Sequence, residues 1–472
     1  MSTTISIEKN VHRIFLDQQK NSFAVAKTTY SERKAKLTRL LDAVMNNKAA
    51  IREALHKDFQ KHESEVDLTE IYPVTNEIKH ALSHLRSWMR TQSVSTPLAL
   101  IGSSSYIKYE PKGVVLLISP WNFPFNLTFA PLVSAIAAGN CIMIKPSEIT
   151  PHISALMSKL IADLFPENEI TVIEGDASVA KELLDLPFNH IFFTGAPSIG
   201  KIVMAAAAKN LTSVTLELGG KSPTIIDETA NMSVSAKRIA WAKFLNNGQI
   251  CIAPDYVFVH ESRKEEFVKA LKANIEQLYG ENPENNLSYN RMVNTRHFER
   301  VKSYIEDAVS NGAKILHGGR INTKTNYIEP TMISDMEDNS KLMTEEIFGP
   351  ILPIKTFKNL SEVSDYINKG EKPLALYIYS TSNKNIDFLL NNTRAGGSTI
   401  NHSAMHFFNN NLPFGGSNNS GIGKSHGFFG FEAFSNARGI LRQHTPFSAI
   451  ELMMPPYSNF KQKLIDLTIK WF

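Results

Sequence analysis

Two α/β domains, each a parallel sheet covered on both faces by helices, together with a small β arm, are the fold class this sequence predicts. Three observations carry it. Short continuous apolar runs alternate with helix-like stretches through most of the chain, which is how buried parallel strands and their crossovers read. At 472 residues the chain exceeds what one hydrophobic core organises. Residues 91–112, TQSVSTPLALIGSSSYIKYEPK, break the alternation with a Ser-, Thr- and Gly-rich texture that reads as a hairpin arm.

The elements follow in order. From about residue 8 to 90 the period is helical, with Leu37, Leu40, Leu41 and Val44 on one face behind Ser31 as the expected N-cap. After the arm, GVVLLIS (113–119) is a buried strand, LTFAPLVSAIAA is a helix stopped by Gly139-Asn140, and CIMIK (141–145) is the next strand. ITVIEG (170–175), HIFFTG (190–195) and SVTLELGG (213–220) continue the series. The second half repeats it with YVFVHE, a helix from Arg263 to Leu278, HFERVKSYIEDAVSNG, AKILHGG, PILPIKTF and LALYIYS. Near the end, NLPFGGSNNSGIGKSHG is a glycine-rich loop, and ARGILRQ is a short strand able to extend a sheet, in cis or in trans. The domains expected are residues 1–90 with 113–216, then 217–412; the arm is 91–112 with 436–446, and 447–472 is a tail whose KLIDLTIKWF forms a short amphipathic helix.

Composition excludes several classes. With 43% hydrophobic and 20% charged residues the chain is an ordinary globular one, and a net charge of +4 spread along helix faces gives no nucleic-acid footprint. Two cysteines make no disulfide framework, and nothing stands at metal-ligand spacing, so no metal is expected and the setting is a reducing one. The start, MSTTISIEKNVHRIF, has no secretory pattern, and no apolar run approaches membrane-spanning length. A cytoplasmic location is expected.

The chemistry-bearing stretches each admit a bland reading. HIFFTGAPSIGK runs a strand into Gly195 and places Gly200 at a helix start, where free amides favour a phosphate; ordinary strand-turn-helix chemistry explains the same glycines. A P-loop needs Ser or Thr after its lysine, and Lys201 is followed by Ile202. GGKS (219–222) lacks the first P-loop glycine, and no GxGxxG follows a strand. In KPSE, Lys145 and Glu148 suit ribose hydroxyls, while a helix start with Ser147 as cap is the plainer account. Cys141, inside CIMIK, reads as a packed small hydrophobe. Cys251, in FLNNGQICIAPDYV, follows Asn246, Asn247, Gly248 and Gln249 and precedes Pro254, which suggests a loop with an accessible thiol, although most lone cysteines are structural. Asn122 in ISPWNFPF offers an amide donor at a strand end, and Glu217 in LELGGKSP is a carboxylate whose burial would raise its pKa into the range of a general base. Each could instead serve structure alone.

Together these stretches resemble the aldehyde dehydrogenase superfamily along essentially the whole chain. PWNFP, KPSE, FTGxxxxG, LELGGKSP, GQxCxAP, EEIFGP and LPFGGxxxSGxG occur in order, and the 34-residue interval from Glu217 to Cys251 fits as well. APDYV, EKPLALYIYS and MMPPYS look most like the class 3 and fatty-aldehyde branch. The resemblance implies an aldehyde dehydrogenase-like fold with a Rossmann-type NAD-binding domain, a second α/β catalytic domain and an oligomerisation arm. It implies Cys251 as nucleophile, Asn122 and the Cys251 amide as oxyanion hole, and Glu217 as general base. Lys145 and Glu148 match adenosine-ribose contacts, Gly195 and Gly200 the turn beside the pyrophosphate, and Glu346 and Phe348 the nicotinamide end, with Trp121 counted among the cofactor contacts. The family's FTGS is FTGA here, so Ala196 brings no hydroxyl to that turn.

The activity implied is oxidation of an aldehyde to a carboxylic acid with NAD, NADP being possible, through a thiohemiacetal and thioester on the cysteine. Glu148 would repel a 2′-phosphate, so NAD is expected to be preferred, and Glu217 argues against the coenzyme A-acylating branch. The aromatic residues Trp121, Phe123, Phe125, Phe407 and Phe408 suggest an apolar tunnel for medium- or long-chain aliphatic or aromatic aldehydes, though each could be core. A homodimer is implied. The alternatives are a catalytically silent scaffold on the same fold and, more distantly, a magnesium-dependent ATPase.

Overall fold

The chain was analysed as a computed structural model that describes residues 2–471. Met1 and Phe472, the outermost residues of the expected boundaries, lie outside the described residues.

The N-terminal helices are α1 (Ser2–Ala26), α2 (Tyr30–Asn46), α3 (Lys48–Phe59), α4 (Glu63–Val66) and α5 (Tyr72–Trp88), with a π-helical turn at Asp67–Ile71 between the last two. The cap of α2 is Thr29, not Ser31: Thr29 accepts from the Glu32 amide while the Glu32 carboxylate accepts from the Thr29 amide, a reciprocal box that Ser31 is too late in the chain to make. Leu37, Leu40 and Val44 are buried as expected.

An arm follows, β1 (Gln92–Val94) and β2 (Ser103–Pro111), then β3 (Val114–Ile118), α6 (Asn126–Ala138), β4 (Cys141–Lys145), α7 (Pro151–Leu164), β5 (Ile170–Val172), α8 (Ala177–Leu184), β6 (His190–Gly195), α9 (Pro197–Ala208) and β7 (Ser213–Leu218). The strands form one sheet in the order β7-β6-β3-β4-β5, all parallel. The strand order reverses beside β3, and such a switch point opens a crevice at the carboxyl ends of the strands. β4 is completely buried, so Cys141 is packed, and burial pushes its thiol up to about 12.

The second sheet is built from β8 (Pro223–Ile226), α10 (Met232–Phe244), β9 (Tyr256–His260), α11 (Lys264–Tyr279), α12 (Thr295–Ser310), β10 (Lys314–His317), a ribbon of β11 (Ile321–Asn322) and β12 (Tyr327–Ile328), β13 (Thr331–Ser334), α13 (Lys341–Thr344), β14 (Ile351–Phe357), α14 (Leu360–Lys369), β15 (Ala375–Tyr379), α15 (Asn383–Asn392) and β16 (Gly397–Ile400). Its order is β10-β13-β14-β9-β8-β15-β16, parallel except for β10 at the edge. The chain then returns to the first domain. β17 (Gly421–Ile422) pairs antiparallel with β7, α16 (Gly427–Ala433) packs on α5 and α6, and β18 (Ser435–Gln443) runs beside β2 over its full length to complete a three-stranded arm. α17 (Asn459–Trp471) closes the chain. Glu217 and Leu218, expected to open the second domain, are the last residues of β7 in the first sheet. Among the described residues no helix is long and apolar enough to cross a membrane.

Candidate active site

The loop carrying Cys251 is built by its amides. After α10 the backbone turns left-handed at Asn246 (φ 50°), Asn247 (φ 55°) and Gly248 (φ 71°), a conformation asparagine tolerates and glycine favours. At Gly248 a Cβ would sit 2.3 Å from the Gly349 carbonyl oxygen, so only glycine lets this turn close on the EEIFGP stretch. Asn246 Nδ2 donates to the carbonyls of Asn122 (2.9 Å) and Gln249 (3.2 Å). Gln249 Nε2 donates to those of Asn246 (3.0 Å) and Arg291 (3.2 Å), and its Oε1 accepts from the Val293 amide. The buried amides are thus bonded as the sequence required, and they fix the loop rather than any ligand.

Cys251 is half-buried and lines the cavity described below. Burial first, then the carboxyls of Glu346 and Glu217, push the thiol up to about 12, so it rests protonated. Asn122 lies against the same loop. Its Nδ2 donates to the Gln249 carbonyl at 3.1 Å, which leaves its second N–H for another acceptor. Glu217 is 6% exposed; its Oε1 accepts from Ser425 Oγ at 2.8 Å and its Oε2 has no partner. Burial raises this carboxyl to about 7, opposed by the Ser425 hydrogen bond and by Lys424. Glu217 and Cys251 line one narrow, mostly apolar cavity with Leu127, Phe407 and Phe414. Of the five aromatic residues expected in a tunnel, Phe407 lines it. Phe125 is core, stacked on Phe129, and Trp121 packs edge-on against Phe348 at 5.3 Å.

The expected cofactor residues gather at the crevice of the first sheet. Lys145 ends β4, and its Nζ donates to the Pro146 carbonyl (2.7 Å) and to Glu148 Oε2 (3.3 Å). Helix α7 begins only at Pro151, so Ser147 and Glu148 are not its cap and first turn but a loop beyond the strand. Gly195 ends β6, and Ala196 caps α9 without a side-chain bond, leaving the first-turn amides without that partner. Gly200 faces Leu218, where a Cβ would come within 2.7 Å of Cδ2, so this glycine lets α9 lie close on the sheet. Glu346 is half-buried as a residue, but its Oε1 is buried without a partner, and burial followed by Asp255 raises the carboxyl to about 8. A Cβ at Gly219 would meet Glu346 Oε2 at 2.1 Å. Phe348 holds a left-handed φ of 48°.

Several supporting residues escaped sequence reasoning. The EEIFGP loop is held by Lys221, which donates to the Leu342 and Glu345 carbonyls and pairs with Asp255, and by Arg300, which donates to the Ile347 carbonyl at 2.9 Å. Asp255 Oδ1 accepts from the Ile347 amide at 3.0 Å. From α4, the half-buried Glu65 carboxylate accepts from the Asn246 amide (3.0 Å) and from Asn290 Nδ2 (2.8 Å). Glu70, paired with the buried Lys61, accepts from the Asn126 amide just beyond the Asn122 loop. Lys221 was visible within GGKS but weighed only as a phosphate ligand. Glu65 and Glu70 carry no local signal, because an acid in a helical period reads as a solvated face.

Comparison with known proteins places this geometry. The family model described as "Aldehyde dehydrogenase family" matches residues 4–440. The chain is 43% identical over 429 residues to the 4,4'-diaponeurosporen-aldehyde dehydrogenase of Staphylococcus aureus, covering 91% of this chain and 93% of that one. It is 40% identical over 446 residues to aldehyde dehydrogenase family 3 member B1 of Mus musculus, covering 94% of each. Among solved structures, the substrate-bound state of Staphylococcus aureus AldH superposes with a TM-score of 0.93 at 41% identity, over 97% of this chain and 99% of that one. PnpE in complex with nicotinamide adenine dinucleotide gives 0.85 at 25% identity, over 93% and 91%.

Proposed function

Because this chain belongs to the aldehyde dehydrogenase family, we propose that it oxidises medium- or long-chain aliphatic or aromatic aldehydes to carboxylic acids through a thioester on Cys251. The chain is an NAD(P)-dependent aldehyde dehydrogenase; the substrate range and the residue roles are the proposal. The observation that carries it is one narrow cavity lined by both Cys251 and Glu217, with the Asn122 amide tied to the Cys251 loop.

The residues present fit a dinucleotide. The partnerless Glu346 Oε1, the Lys145–Glu148 pair at a strand end and the Ser198 amide at the start of α9 offer a hydroxyl acceptor, a ribose pair and a backbone donor in turn. Bound there, NAD(P)+ supplies the hydride acceptor that takes the thiol adduct to the thioester. Glu148 keeps a carboxylate where a 2′-phosphate would lie, which supports a preference for NAD.

The chain's own steps follow from the site. Deprotonating Cys251 beside two carboxyls is uphill, and its proton leaves to water before sulfur attacks, so that Glu217 stays a carboxylate for the later step. Sulfur attacks the carbonyl carbon, and the alkoxide meets the free N–H of Asn122, a donor of a kind that contributes about 3 kcal/mol in comparable sites. After oxidation Glu217 takes a proton from water, whose oxygen attacks the thioester carbon; the C–S bond breaks and the acid leaves. The apolar walls at Leu127, Phe407 and Phe414 favour an alkyl or aryl substituent. A homodimer joined through the arm and a cytoplasmic location complete the proposal.

Absorbance at 340 nm with either cofactor, across aldehydes of increasing chain length and aromatic ones, tests it. Rising kcat/KM with chain length or ring size is expected, and Cys251→Ala is expected to abolish turnover while cofactor still binds. Silence with every aldehyde would favour the scaffold, and near-normal turnover in Cys251→Ala would overturn the nucleophile.

A further inference from the structure

The steps above leave one buried carboxyl in the same cavity unused. Glu77, on α5, is 3% exposed and lines the cavity with Glu217, Ser425 and His426. Among the described residues its Oε1 accepts from the Gly427 amide at 2.8 Å, and it stands in no ion pair closer than 4.0 Å. A carboxyl buried without a cation is costly as a charge and serves poorly as a mere cap, for which a neutral acceptor would suffice.

The segment Ser425–His426–Gly427 joins the two carboxyls. Ser425 Oγ donates to Glu217, the Gly427 amide donates to Glu77, and between them His426 holds a left-handed φ of 72°. Strain of this kind in a residue with a Cβ persists only where its surroundings enforce it. Two buried polar atoms here have no partner, Glu217 Oε2 and His426 Nδ1. The cavity measures about 30 Å³, room for about two waters at 10–15 Å³ each. On the far side His80, half-buried, reaches to within 3.0 Å of where a Gly427 Cβ would lie, and it stacks on the exposed His84 at 4.2 Å.

We propose that Glu77 is the proton-relay partner of Glu217: the proton taken from the hydrolytic water passes by the Ser425 hydroxyl and the waters of this cavity to Glu77, and leaves past His80 to solvent. The inference rests on the reading of Glu217 as base. In each turnover Cys251 releases its proton to water and, once the C–S bond breaks with its electron pair on sulfur, regains one from water; one O–H bond of the hydrolytic water breaks, its oxygen joins the acyl carbon, and the proton on Glu217 must depart before the next water is activated. No oxidant or further reactant enters. Burial brings both carboxyls to about 7, so transfer between them is close to thermoneutral, as a relay near neutral pH requires. His426, whose burial lowers it to about 4, stays neutral beside them.

Glu77→Gln tests it, because an amide oxygen can keep the Gly427 bond while the side chain no longer exchanges a proton. Stopped-flow absorbance should show a first-turnover burst of NADH equal to that of the unaltered protein, then a steady-state rate lower by about tenfold or more, with unchanged thermal unfolding. If Glu77→Gln fails to fold, Ser425→Ala is expected to give the same split between burst and steady state. A steady-state rate equal to the unaltered protein's would overturn the relay, and so would parallel loss of burst and turnover, which marks a structural cap. Absence of any NADH from the unaltered protein would instead sink the functional reading beneath it.

Discussion

At the residue scale the protonation of three side chains decides the chemistry. Hydrolysis needs Glu217 as carboxylate, and burial holds it at about 7, so deacylation should rise through pH 7 and fall about tenfold per unit below it. Turnover followed from pH 5.5 to 8.5, where release of the acyl group limits the rate, reads this directly. Glu217→Gln should flatten the profile, cut turnover by about 10²–10⁴, and spare the first NADH formed. Glu346 acts on the thiol instead. It titrates at about 8, so below that pH it is neutral and leaves Cys251 unaffected; above it the carboxylate opposes the thiolate. Alkylation of Cys251 by iodoacetamide should therefore run at one rate in the unaltered protein and in Glu346→Gln below pH 8, and faster in Glu346→Gln above it. Equal rates at pH 9.5 would show that Glu346 does not govern the sulfur.

At the scale of elements, the reactive groups are held by pieces far away in sequence. The Asn246–Gly248 turn leans on Glu65 of α4 on one side and on Gly349 of the EEIFGP loop on the other. Glu65→Ala leaves the Asn246 amide and Asn290 Nδ2 unpaired in a buried place, which should cost about 1–3 kcal/mol in urea unfolding and lower kcat more than the KM for cofactor. Unchanged stability would mean that water or a shifted backbone replaces the carboxylate. This is also where sequence reading reached its limit. Strands and crossovers were legible because buried parallel strands are continuous apolar runs, whereas Cys251, Asn122 and Glu217 each admit a structural reading alone and were set apart by the aldehyde dehydrogenase motifs that hold them. The cap of α2 falls on Thr29 rather than Ser31 because only Thr29 stands three residues before Glu32, the spacing a reciprocal box needs. Ser147 suggested a helix start that belongs to Thr150 and Pro151. Glu65 and Glu77 were invisible because their partners, Asn246 and Gly427, lie about 180 and 350 residues on, and a helical period says which face is inside but not what a buried acid meets there.

On the scale of the whole molecule, the arm is unfinished in one chain. β18 is bonded to β2 along its nine residues, yet its opposite edge pairs with no described strand, and eight of those nine residues lie open to solvent or nearly so. A long free edge invites pairing, and proteins that leave one bare usually blunt it with charge or cover it. Here β18 carries the exposed Arg438 and Arg442, yet apolar side chains stand exposed beside them. Leu441 on β18 and Leu98 and Ile101 in the arm are exposed, and the turn at Leu98–Leu100 meets the turn at Ala449–Met453, where Ile450 and Leu452 are exposed too. Arm and tail thus meet where exposed apolar side chains gather, a feature of the sort that marks an interface. A second copy supplies both a strand edge and an apolar face of the same kind, so two-fold pairing satisfies each with its equal. Sedimentation velocity at micromolar concentration is expected to give a species of twice the chain mass. Leu441→Glu, which sets a charge in that surface from each copy, should shift it toward the single chain while each folded chain keeps its intrachain β2–β18 pairing. A single chain sedimenting alone before any substitution would refute the dimer, and an unaltered dimer in Leu441→Glu would move the interface off this edge.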